Sequence, residues 1–284
     1  MVSAIPGDSA AIAAAWQSGT VKVRGGHLAY HRTGGNGAKI VLSHGLTDNG
    51  LCWSRFAAAL ADQFDLIMLD ARGHGASSRM PPGDPPAAGQ DLAEAIEGLG
   101  LVLPIVMGHS VGARATAEFA AANPACAAMV VLEDPPLSPP FGATEMQQRR
   151  TQFQEQVAKL HALTASELAE LGHRQSPSWD NSEFPAWVQS KQQVDPRALP
   201  DFQMPWQAII AAIKSPILLI CGEPALGGMV RPEQVAEAKA LNSFVSSAPI
   251  AGAGHNIRRE NFADYVIAVR KFLGAGGRLQ KQDR

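Results

Sequence analysis

Cysteine is scarce and scattered in this chain: Cys52, Cys126 and Cys221 are its three cysteines, and no two form a C-x-x-C pair. That pattern excludes a disulfide framework and a thiolate zinc site, and a reducing compartment, the cytoplasm, is the expected location. Neither sign of charge dominates, since 24 Lys and Arg stand against 26 Asp and Glu. With no long basic run, nothing points to nucleic acid or to an anionic membrane surface. Apolar runs are short as well, and none reaches the roughly 18 uninterrupted residues of a membrane span. The patch "SAAIAAAW" (9–16) has no Lys or Arg before it, Lys22 being the first, which argues against a secretory signal peptide. The partners left by these exclusions are small molecules or proteins, with a small-molecule substrate and a possible homodimer expected.

What the chain does have is alternation. At 284 residues it suits one large domain, or a domain carrying an insertion. Short apolar runs ending in Gly, Asp or Pro recur as "KIVLSHG" (39–45), "DLIMLDARG" (65–73), "LPIVMGHS" (103–110), "MVVLEDPP" (129–136) and "PILLICGEP" (216–224). Continuous runs of this length suit strands covered on both faces. Helical patterns separate them, at 51–64, 91–100, 111–124, 231–242 and 258–273. Strand and helix in turn predict an α/β fold with a doubly wound, mostly parallel sheet. The opening "TVKVRGGHLAYHRTG" (20–34), two alternating runs about a Gly-Gly turn, reads as an antiparallel hairpin.

The alternation stops between Leu137 and Lys214, a stretch with no convincing strand and too long for a loop. It is read as a mostly helical cap inserted over the carboxyl ends of the strands, where ligands bind in open α/β sheets. The core is then expected in two parts, 1–136 and 215–284, with the cap at 137–214. Trp179, Phe184, Trp187, Phe202 and Trp206 of the insertion either line an apolar pocket or form the insertion's own core.

One stretch suggests chemistry. Gly108-His109-Ser110-Val111-Gly112 is a G-x-S-x-G pattern between a strand-like run and an alanine-rich helix. Glycines on both sides remove the Cβ atoms that would clash in a tight strand-to-helix turn, and the turn exposes the Ser110 hydroxyl near a helix N-terminus. A serine hydroxyl needs a base, and the base an orienting acid. His255 in "APIAGAGHNIRRENF" follows a strand-like run and a Gly-rich loop, and it is preferred to the seven other histidines. The acid is less determined. Glu223, directly after Gly222 at the end of the run 216–224, stands too early to reach His255, while Glu133 and Asp134 end the strand before the insertion. Consecutive strand residues face opposite ways, so only one of the two serves. Asp134, expected to be held extended by Pro135, is assigned ahead of Glu133 and Glu223. Oxyanion donors are expected from the backbone N–H of Val111 and, past "SHGLTDNG", of Leu46, with Gly45 beside them in the pocket.

Taken together, "SHGLTDNGLCW", "LDARGHGASS", "MGHSVG", "VVLEDPP" and "GAGHNI" stand in an order and spacing that resembles the α/β-hydrolase superfamily over nearly the whole chain outside the insertion. The resemblance implies Ser110 as nucleophile, His255 as base, Leu46 and Val111 as oxyanion donors, and no metal or organic cofactor. It also favours Asp134, because haloalkane dehalogenases and zearalenone lactone hydrolases are similar in carrying their acid after this strand. Ser110 argues against dehalogenase or epoxide hydrolase chemistry. Where many members carry the acid, this chain has Ala225. The activity implied is cleavage of a carboxylic ester or lactone of a medium-sized, hydrophobic or aromatic molecule, with Trp179, Trp187 and Trp206 lining the pocket. Carbon–carbon bond hydrolysis of ring-fission products, a cofactor-free oxygenase mechanism and a ligand-binding receptor with a vestigial triad are the alternatives.

Overall fold

The structure, a computed structural model, describes residues 16–81, 83 and 87–282, so the apolar patch at 9–16 lies outside the described residues except for Trp16. Eight strands form one sheet: β1 (Gln17–Val23), β2 (Gly26–Arg32), β3 (Ala38–Ser43), β4 (Phe64–Leu69), β5 (Ile105–His109), β6 (Met129–Glu133), β7 (Ile217–Cys221) and β8 (Val245–Pro249). They lie in the order β1-β2-β4-β3-β5-β6-β7-β8. β1 and β2 pair antiparallel as the expected hairpin, and β2 pairs antiparallel with β4. From β4 to β8 every pairing is parallel.

Between the strands run α1 (Ser54–Leu60), α2 (Ala88–Gly98), α3 (Val111–Ala122), α4 (Ala143–His161), α5 (Ala165–Gln175), α6 (Phe184–Gln193), α7 (Trp206–Ala212), α8 (Pro232–Leu241), α9 (Ile257–Glu260) and α10 (Phe262–Gln282). Both faces of the sheet are covered, which is why the central strands read as unbroken apolar runs. Alternate residues divide between two cores: Val41, Ile67, Val106 and Val130 meet Ala113, Ala117 and Phe119 of α3 on one face. Ile40, Leu42, Met68 and Val131 meet Trp53, Phe56 and Tyr265 on the other.

The segment between β6 and β7 is helical among the described residues, but its last helix is not cap. Trp206, Ile209, Ile210 and Ile213 pack into the same core as Ala113 and Phe119. The expected boundary at 214 is therefore too late, because α7 is apolar enough to cover the sheet. The single long helix read at 258–273 is likewise divided, with Asn261 between α9 and α10. Register places the site: Ser43 pairs with Gly108 and His109 with Glu133, so the residues after β3, β5 and β6 leave the sheet side by side. β3 leads to β4 on one side while β5 lies on the other, a switch point where a crevice opens at the carboxyl ends.

Candidate active site

Ser110 stands between β5 and α3 with φ 55° and ψ −125°, a left-handed conformation a serine adopts only under constraint. The flanking glycines make the turn sterically feasible. A Cβ on Gly108 would lie 2.3 Å from the Gly112 carbonyl oxygen, and one on Gly112 would lie 2.4 Å from that of His44. The Ser110 N–H donates to the Glu133 carbonyl at 2.9 Å, which ties the turn to the neighbouring strand end.

His255 bridges two partners. Its Nε2 is 3.0 Å from Ser110 Oγ and its Nδ1 is 2.6 Å from Asp134 Oδ2. A buried carboxylate only accepts, so Nδ1 carries the proton and Nε2 is left to accept from the serine hydroxyl. Asp134 is fully buried and also accepts from the N–H groups of Met229 (2.8 Å) and Val230 (3.1 Å). Its backbone differs from expectation: φ is 43°, not extended. The Asp134 N–H donating to the Ile220 carbonyl at 2.9 Å, with the two amides gripping the carboxylate, overrides the preference that Pro135 imposes.

The other two acids are elsewhere. Glu133 points to the opposite face and accepts from the Arg258 N–H at 3.0 Å, with Arg258 Nη1 3.3 Å from its other oxygen. Burial pushes its carboxyl pKa up. Glu223 accepts from the Gly252 N–H at 2.7 Å on the surface.

The loop after β3 closes as a turn in which the Asp48 N–H donates to the Gly45 carbonyl at 3.1 Å. In such a turn the N–H of the second residue, Leu46, is left free, and no acceptor for it is found among the described residues. Val111 begins α3, where an N–H has no acceptor within the helix. Each carbonyl of the loop is gripped in turn. His44 Nδ1–H donates to Gly45 O at 2.8 Å, and His74 Nε2–H donates to Leu46 O at 2.6 Å. Lys191 Nζ donates to Thr47 O at 2.8 Å. The Ala71 N–H donates to His44 Nε2 at 2.9 Å, which fixes the neutral tautomer. Burial lowers the His44 pKa to about 3 and those of His74 and His109 below the ordinary range. His109 Nε2–H donates to the His255 carbonyl at 3.0 Å, so a second histidine braces the loop of the first.

Sequence reasoning missed a buried group of charges behind these loops. Asp48 takes Lys191 at 3.1 Å, Arg259 at 3.1 Å and Arg258 at 3.4 Å. Arg258 also meets Glu133, and Arg259 meets Glu183 at 3.2 Å. The surrounding cations hold the Asp48 pKa well below the usual carboxylate range, against the opposing effect of burial. The network joins the loop after β3, the end of β6, the insertion and α9. Its one advance signal is "NIRRENF", two adjacent arginines three and four residues after His255.

Beside the loop of Gly45 and the start of α3 lies a cavity of about 740 Å³, reached by Gly45, Val111 and Gly112 and walled by Leu69, Met80 and Phe202. Arg72, Arg150 and Arg197 also line it, with Asp91, Asp201 and Gln154. The tryptophans expected there are not on its wall. Trp179 and Trp187 pack with Leu168 and Phe184 as the insertion's own core, and Trp206 joins the main core. Among the described residues no helix is long and apolar enough to cross a membrane.

Comparison with known proteins agrees with this architecture. A sequence profile described as the alpha/beta hydrolase family matches residues 40–268. N-formylmaleamate deformylase of Pseudomonas putida is 28% identical over 262 residues, covering 90% of this chain and 96% of that protein. The crystal structure of E-2-(acetamidomethylene)succinate hydrolase superposes with a TM-score of 0.75 at 20% identity, covering 91% of this chain and 99% of that one. The enol-lactonase of Burkholderia xenovorans LB400 superposes with a TM-score of 0.70 at 22% identity, covering 90% and 100%.

Proposed function

The chain belongs to the alpha/beta hydrolase family, and on that premise we propose that it is a serine hydrolase that cleaves a carboxylic ester or lactone of a small molecule through an acyl-enzyme on Ser110. The observation that carries this reading is the chain of hydrogen bonds from Asp134 through His255 to Ser110, at 2.6 and 3.0 Å. As Ser110 Oγ attacks the carbonyl carbon, its proton passes to His255 Nε2, and the buried Asp134 carboxylate stabilises the imidazolium. The carbonyl oxygen becomes an oxyanion that accepts from the N–H groups of Leu46 and Val111, each worth about 3 kcal/mol of barrier. Collapse breaks the bond to the leaving oxygen, which takes the proton from His255. Water then enters, gives its proton to His255, attacks the acyl carbon, and the acid leaves as Ser110 Oγ is reprotonated.

The walls of the neighbouring cavity, part apolar and part charged, fit a small molecule with polar substituents better than a purely hydrophobic one. The cap aromatics, packed on one another, no longer argue for an aromatic substrate. A second reading keeps every residue role and replaces the ester by an N-acyl bond. It is favoured by the deformylase, whose likeness extends over 90% of the chain.

The test is stoichiometric labelling with a fluorophosphonate, mapped by peptide mass, followed by a panel of esters, lactones and amides sharing the same acyl groups. Labelling at Ser110 that disappears in His255→Ala, with turnover of the oxygen esters, is the expected result. Turnover confined to the amides replaces the first reading by the second, and a folded protein that neither labels nor turns over any of them refutes both.

A further inference from the structure

We propose that Lys191, carried by the inserted helix α6, is a positioning residue for the oxyanion loop, so that the insertion sets the geometry of the catalytic site as well as covering it. The proposal rests on the reading of the Leu46 amide as an oxyanion donor.

Lys191 is buried, and its ammonium donates to Thr47 O at 2.8 Å, Thr47 Oγ1 at 2.9 Å and Asp48 Oδ1 at 3.1 Å. An ion pair alone would need only Asp48. Two of its bonds go instead to Thr47, and they hold the Thr47–Asp48 peptide, whose N–H in turn bonds the carbonyl of the Gly45–Leu46 peptide that carries the candidate donor. The core itself supplies the grips on Gly45 O and Leu46 O, through His44 and His74. The grip on Thr47 comes from the insertion. The last turn of α6 adds another tie, Asn49 Nδ2 donating to Gln193 Oε1 at 3.0 Å. The ring of Trp187, whose centroid is 4.8 Å from the Lys191 nitrogen, limits the side chain's other positions. Burying an ammonium costs several kcal/mol that an apolar side chain would not, so a lysine here is better explained by the shape it imposes than by net stability.

An oxyanion donor acts only when it lies in place before the charge develops, and displacement by about 1 Å can cost on the order of a hundredfold. Lys191→Met keeps the apolar stem and removes the three donors. It is expected to lower kcat by about 10- to 100-fold with KM nearly unchanged, and to weaken a boronic acid that forms a tetrahedral adduct on Ser110 by a similar factor. Because this variant leaves Asp48 in a cluster with one positive charge fewer, Lys191→Met with Asp48→Asn restores the balance and serves if the single variant fails to fold.

The deciding measurement is a double-mutant cycle with Leu46→Pro, which deletes the candidate N–H at a turn position that accepts proline. If Lys191 acts through the Leu46 amide, Lys191→Met adds little in that background. Full additivity, an unchanged kcat in folded Lys191→Met, or recovery of kcat in the charge-balanced double variant each overturns the proposal. A Leu46→Pro enzyme that keeps wild-type kcat overturns it in a different way, by removing the oxyanion reading beneath it, while Ser110 labelling would still report the serine hydrolase.

Discussion

Replacing Asp134 by Asn changes one atom and should disable the site. Three donors converge on the carboxylate, namely His255 Nδ1–H, the Met229 N–H and the Val230 N–H. An amide has a single acceptor oxygen. Placed toward Val230, that oxygen leaves an NH₂ group facing both His255 and Met229, and His255 must shift its proton to Nε2, where it no longer accepts from Ser110. Placed toward His255, it leaves the NH₂ against the Val230 N–H, a buried unsatisfied contact worth about 1–3 kcal/mol of stability. In either arrangement the charge that stabilises the imidazolium is gone. A unit charge at about 4 Å in a protein interior of effective dielectric near 20 interacts by roughly 4 kcal/mol, about a thousandfold in rate. Loss of the productive tautomer raises the expected fall in kcat to between about 10³ and 10⁴. The assay is kcat and KM on an ester that labels and turns over, with fluorophosphonate labelling rate and urea unfolding measured on the same preparation. A folded Asp134→Asn enzyme within about threefold of wild type would refute the reasoning, and a dead Glu223→Gln beside it would move the acid to the loop after β7.

Two further outcomes follow from the same geometry. Ser110→Gly removes the proposed nucleophile and also releases the left-handed backbone at φ 55°, so activity should vanish while resistance to urea rises by about 1 kcal/mol; a loss of stability would mean the turn is not strained. The second concerns pH. His44, His74 and His109 are buried, and burial holds their pKa values below the unfolded value of 6.5, that of His44 at about 3. The unfolded chain therefore binds more protons below pH 6.5, and each of the three removes stability as pH falls, by at most about 1.4 kcal/mol per unit, His44 continuing to do so down to about pH 3. Raised carboxylates such as Glu133 oppose this, so urea unfolding at pH 7, 6 and 5 should show a net loss on the order of 1–3 kcal/mol, and a flat profile would show that these imidazoles are not held neutral.

Much of the molecule is local in origin and was legible as such. Buried strands announce themselves as apolar runs, covering helices as periodic ones, and the turn at Ser110 as two glycines whose Cβ atoms have no room. The place of His255, after a Gly-rich loop and before the last helices, also follows from chain order. What the sequence left open was each question of direction. Glu133 and Asp134 are neighbours with the same chemistry, and only packing shows one turned to Arg258 and the other to His255. The aromatic residues of the insertion suit a pocket or a core equally well in composition; the folded chain put Trp179 and Trp187 in one core and Trp206 in another. The buried charges were the least visible. Asp48, Glu133, Glu183, Lys191, Arg258 and Arg259 come from distant parts of the chain, and a charged side chain destined for the interior looks in sequence like one bound for solvent. Composition and periodicity determined the layers, because they act between near neighbours. The pairing of charges, and with it the grip of the insertion on the loop after β3, was decided only when tertiary folding brought those segments within hydrogen-bonding distance.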